Sequence, residues 1–117
     1  MIVVTAVLSI LLALVYATTG SMKLAGQTQS VEIRDHLGVQ PRMWRTIGLL
    51  ELAAAAALLA GLALAPLGAA AAVGLALLMI GAGIHHHRAN DPLRKKAPVA
   101  ALFVLAVITA LVQLPST

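Results

Sequence analysis

The sequence predicts an all-α protein: a four-transmembrane-helix bundle with a short interfacial helix between spans one and two. Three observations carry this. Hydrophobic residues make up 61% of the 117 and charged residues 10%, with a mean hydropathy of +0.98, well outside the values of soluble domains. The apolar residues fall into four blocks, each near the ~20 residues that a helix needs to cross the hydrocarbon core. The basic residues occur only between those blocks, where they read as topology signals. One domain, residues 1–117, accounts for the whole length.

Span one is placed at about Ile2 to Met22. It has no basic residue ahead of it and runs on to Lys23 without a cleavage site, so it reads as a retained helix and not as a secretory signal. The stretch Gly26 to Arg45 is the long polar segment. Ser30 suits an N-cap, Glu32 a first turn and Gly38 a helix end, which predicts about two turns of helix. Val31, Ile33 and Leu37 would dip into the headgroup boundary, Arg34, Asp35 and His36 would face water, and Trp44 would be an interfacial anchor. An ordinary ordered loop is the alternative.

Span two is placed at about Thr46 to Leu64 and span three at about Leu67 to Ile84. Pro66 separates them with almost no loop, predicting a tight antiparallel hairpin with the proline in the first turn of span three. Span four is placed at about Pro98 to Leu114, opened by Pro98 in the same way. Small residues recur on spans two and three, Ala53, Ala57 and Gly61 on one and Ala70, Gly74 and Gly81 on the other. Lipid supplies no hydrophobic drive for helix association, so such stripes read as close-packing faces.

Lys23, Arg34, Arg42 and Arg45 lie between spans one and two, and Arg88, Arg94, Lys95 and Lys96 between spans three and four; no other connection or tail carries Lys or Arg. This bias predicts that loops 23–45 and 85–97 are cytoplasmic and both termini periplasmic or extracellular, in an inner (plasma) membrane. The net charge of +4 therefore speaks for the lipid bilayer as partner and against nucleic acid. The absence of cysteine excludes disulfides, thiolate metal sites and dithiol chemistry by this chain.

Glu51 is the only acidic residue inside a span. It follows Arg45 by roughly 9 Å of helix rise, which sinks it one to two turns below the hydrocarbon edge. A carboxylate there needs company from a neighbouring helix. Lys23 ends span one and His85, His86 and His87 end span three at the same end of the bundle, so a cation, an anion and an imidazole are delivered to one layer. Tyr16, Gly20 and Lys23 share a face of span one, with Tyr16 one to two turns deeper. Two readings of the layer stand side by side. In one it is a polar pocket open to lipophilic molecules, moving protons through Glu51 and a histidine. In the other, a Lys23–Glu51 ion pair simply locks two helices and the histidines lie among headgroups. Adjacent histidines on a helix point about 100° apart, so the three cannot all serve one metal; no metal is assigned, and haem is disfavoured. Arg88, Asp91, Arg94, Lys95 and Lys96 read as a solvated loop that attracts anionic lipid.

The run Gly20-Ser-Met-Lys23-Leu-Ala-Gly26, then Gly48-Leu-Leu-Glu51-Leu-Ala-Ala, then Gly81-Ala-Gly-Ile-His-His86-His-Arg88-Ala-Asn-Asp91 resembles the DoxX-like family of small bacterial membrane proteins over nearly the whole chain. The resemblance implies a four-helix membrane bundle whose characteristic polar positions correspond to Lys23, Glu51, His86 and Arg88, with histidines on both sides of His86 as a departure from the pattern. It also implies an association with membrane redox or oxidative-stress complexes, since the family name derives from a subunit linked to thiosulfate and quinone oxidation.

The leading expectation is a redox-associated protein that binds a quinone-like or other lipophilic small molecule beside Tyr16, Lys23, Glu51, His86 and Arg88. Glu51 would accept a proton, Lys23 orient it, and His86 serve as second proton carrier or hydrogen-bond donor. The alternatives are a non-catalytic accessory subunit docked on a larger membrane oxidoreductase, or a membrane enzyme acting on a lipophilic epoxide-type substrate. Assembly of identical chains is compatible with each.

Overall fold

A computed structural model describes residues 2–113. Five helices follow in order: α1 (Ile2–Ala25), α2 (Thr28–Leu37), α3 (Pro41–Ala60), α4 (Ala65–Arg88) and α5 (Leu93–Val112). Four of them, all but α2, are long and apolar enough to cross a membrane. The molecule measures 44 × 28 × 17 Å, and its long axis matches a bilayer of about 40–45 Å with its headgroup regions. Side chains such as Leu11, Leu14, Leu49, Val73, Leu77 and Leu111 are exposed on the flanks of the helices, the inverse of a soluble bundle and the expected surface toward lipid.

The main packing runs α1 on α3, α3 on α4 and α4 on α5, with a lighter α1–α5 contact. Leu12, Tyr16, Leu58, Ala72, Leu75 and Ala106 form its buried centre. The backbones touch at two glycine pairs. A Cβ on Gly20 would come within 2.8 Å of the Gly48 carbonyl oxygen, and one on Gly48 within 3.0 Å of the Gly20 oxygen. At the far end a Cβ on Gly61 would strike the backbone of Gly68, which closes the α3–α4 hairpin. The stripes expected to pack the helices are thus mostly elsewhere. Ala53, Ala70 and Gly74 are exposed, and a Cβ on Gly74 or Gly81 would meet nothing within 4 Å. Spacing of small residues marks a face but does not say whether a neighbouring helix covers it.

Helix ends depart from the apolar blocks because hydropathy marks where lipid begins, whereas capping chemistry marks where a helix begins. Pro41, which needs no N–H partner, starts α3 five residues before Thr46, so Arg42, Trp44 and Arg45 are helical. Gly61 ends α3 ahead of the expected Leu64, and α4 begins at Ala65 with Pro66 in its first turn, as the hairpin requires. Pro98 does not open α5: Pro92 is its N-cap and Pro98 lies inside it, where it withholds one bond to the preceding turn. The expected end of span four at Leu114 lies outside the described residues.

The predicted surface helix is present as α2, with two corrections. Its N-cap is Gln27, whose Oε1 accepts from Ser30 N at 2.9 Å, and Glu32 falls beyond the first turn. Gly38 closes the helix in the left-handed conformation (φ 72°), its N–H returning to Arg34 and Asp35 carbonyls, as anticipated for a residue without a Cβ.

Candidate functional site

The Gly20–Gly48 contact brings α1 and α3 close enough for short side-chain bonds, and the polar layer is assembled directly beside it. Glu51 is 3% exposed. Its Oε1 lies 2.7 Å from Lys23 Nζ, and its Oε2 accepts a hydrogen bond from Thr19 Oγ1 at 2.7 Å. Lys23 Nζ also sits 4.7 Å from the centroid of the Trp44 ring, within cation–π range. Trp44 Nε1 in turn donates to Ser30 Oγ at 3.0 Å. One continuous series of contacts therefore runs from α3 through α1 and back to α3 and α2. Trp44, expected as an interfacial anchor, is only 8% exposed, its indole packed against α2 through the bond to Ser30.

Beside this layer lies a cavity of about 280 Å³. Lys23, Glu51, Trp44, His85 and His86 form its polar corner, and Ile33, Leu37, Val39, Ile47, Leu78 and Met79 supply apolar wall. Ile33 and Leu37 belong to α2, so the short helix forms part of the cavity wall. A mostly apolar enclosure with a few convergent polar groups is the usual form of a small-molecule site.

His86 is held from behind. α4 ends in a tight turn in which Asn90 adopts a left-handed conformation (φ 56°), tolerated by asparagine, and the Asp91 N–H returns to the His86 carbonyl at 3.0 Å. The Asp91 carboxylate then meets two imidazoles, His86 Nδ1 at 2.5 Å and His36 Nε2 at 2.6 Å. Asp91 is 6% exposed, which corrects its assignment to a solvated loop: the turn folds it back between α2 and α4. The hydrogen bond from His36, then that from His86, holds its carboxyl below the ordinary carboxylate value of 3.8. With Asp91 ionised, both rings donate to it, and the second ring nitrogen of His86 remains available to a ligand.

The residues singled out from sequence are therefore divided. Lys23 and Glu51 are in contact, and both line the cavity together with His86. Tyr16 is 1% exposed in the helix core, its hydroxyl without a partner. Tyr16 and Arg88 are not among the cavity's lining residues; Arg88 and His87 are exposed at the end of α4. Of the histidine run, His85 and His86 reach the cavity. Sequence reasoning missed Thr19, His36, Asp91 and the wall role of Trp44. Thr19 was accessible, four residues before Lys23 and so on its face of α1; the His36–Asp91 pairing joins positions that no local spacing connects. Among the described residues no group of three or more His, Cys, Asp or Glu side chains is arranged to hold a metal ion.

Four apolar spans around a buried Lys–Glu pair make this a multi-pass helical membrane protein with a polar layer inside one end of its bundle. A profile of the DoxX-like family matches residues 7–110, and the chain belongs to that family. It matches no curated protein and no solved structure.

Proposed function

We propose that this protein binds a quinone-like or other lipophilic small molecule in the cavity beneath α2, its polar head against Lys23, Glu51 and His86, as part of membrane redox metabolism. The observation that carries this reading is that the cavity joins a desolvated Lys23–Glu51 pair and a carboxylate-backed imidazole to an apolar wall. A helix lock alone needs the ion pair, but not an adjoining cavity or His86. In this reading Lys23 Nζ donates to a carbonyl or hydroxyl oxygen of the head, and His86 Nε2, its Nδ1–H being given to Asp91, accepts from a hydroxyl of the head. Glu51, tethered by Thr19, exchanges a proton with it. The same reading takes this end of the bundle as the cytoplasmic one, which the charge bias of the loops supports.

The chain contains a single tryptophan, and it lines the cavity, so its fluorescence reports occupancy directly. Titration of the purified protein with a benzoquinone is expected to quench Trp44 saturably, and Glu51→Gln to abolish saturation while the helical content is unchanged. An affinity left intact in that variant would remove Glu51 from the site. Stable co-purification with a larger oxidoreductase, with no response of Trp44, would favour the accessory-subunit reading instead.

A further inference from the structure

We infer that the molecule held in the cavity is a single-tailed amphiphile whose aliphatic chain lies in a groove between α3 and α4 that continues from the cavity. This rests on the binding reading proposed above and specifies the class of ligand. The cavity's 280 Å³ is just below the ~300–1,000 Å³ of sites that enclose a whole drug-sized ligand, so it suits a ring-sized head and leaves a tail to be housed elsewhere. A second depression of about 340 Å³ adjoins it, and Leu77 and Leu78 line both. The remaining lining of this groove is Leu50, Ala54, Ala71 and Gly74, with no polar side chain among them.

The small residues are what make this groove. Alanine and glycine on membrane helices ordinarily allow two backbones to approach, yet a Cβ on Gly74 would meet nothing within 4 Å, so its smallness leaves open space. From Leu78 to Ala71 the groove follows about two turns of α4, roughly 10 Å, away from the polar layer and toward the opposite face of the membrane. A head fixed at Lys23 and Glu51 therefore directs its tail along α3 and α4. One groove between one pair of helices fits one chain, which separates this ligand from a two-chain membrane lipid.

Two probes test this: a tailless dimethoxybenzoquinone and the same ring carrying a decyl chain, each titrated against Trp44 fluorescence in one detergent. The ratio of their dissociation constants is compared between the unsubstituted protein and Gly74→Leu, so that partitioning of the tail into detergent cancels. Gly74→Leu is expected to reduce the advantage of the decyl probe by about fivefold or more, with the tailless ring unaffected. An unchanged ratio with Trp44 still quenched overturns the groove and leaves the cavity reading standing. Quenching by neither probe overturns both. Photolabelling of the unsubstituted protein by a diazirine on the decyl chain decides the same point without a variant. Labels concentrated on residues 50–54 and 71–78, and suppressed by excess tailless ring, support the groove; labels spread over all four spans, as for a bulk lipid chain, overturn it.

Discussion

The site turns on the Lys23–Glu51 pair, because both groups are withdrawn from water, their side chains 13% and 4% exposed. A buried ion pair contributes little net stability relative to a well-packed apolar pair, but removing one partner strands a charge at a cost of about 3–5 kcal/mol. Lys23→Met is therefore expected to lower the thermal midpoint in detergent strongly, and Lys23→Met combined with Glu51→Leu to recover much of the loss. Additive single and double effects in that cycle would show that the two side chains do not depend on one another. The stabilities and the ligand response should separate: the recovered double variant folds, but Trp44 no longer senses a quinone. Glu51 was legible as an in-span acid and Lys23 as a candidate partner at the same depth. Thr19 was within reach as well, one turn before Lys23 on its face of α1, but the ring of Trp44 beside Lys23 was not, since an indole carries no hydropathic signal of its orientation.

Among the elements, α2 is the one tied to the spans by individual side-chain hydrogen bonds. Its contacts with the spans are few, and it is held by Trp44 to Ser30 at one point and His36 to Asp91 at another. Because the Asp91 carboxyl sits below its ordinary value of 3.8 when the protein is folded, the stabilisation from its ionised form is fully present above that value. It is lost as pH falls through the lower, folded value. Hydrogen-exchange protection factors for residues 28–37 are thus expected to be insensitive to the Asp91 carboxyl between pH 7 and 5 and to drop below about pH 4. Asp91→Asn should lower them already at neutral pH, and protection unaffected by that substitution would mean that α2 is held by other contacts. The existence of α2 and its Gly38 terminus were readable from local signals. Its docking depends on a contact fifty-five positions apart in sequence.

For the whole molecule, the arrangement of charge across the bundle is the feature open to direct test. The chain has no cysteine, so single cysteines report their own side of the membrane. Lys95→Cys is expected to react with an impermeant maleimide only in permeabilised cells, and Ala63→Cys, in the connection between α3 and α4, in intact ones. The opposite pattern would invert the orientation and place the polar layer on the outer face.

Composition and block length alone decided that the chain is helical, how many times it crosses and at which end its charge lies, because burial in hydrocarbon demands locally satisfied backbones of a set length. The tertiary structure alone decided which glycines touch, that His85 and His86 but not His87 reach the cavity, and that Asp91 is buried between two imidazoles. Those are properties of helix rotation and loop closure. They depend on packing between segments distant in the chain, and hydropathy, an average over each segment, does not encode them.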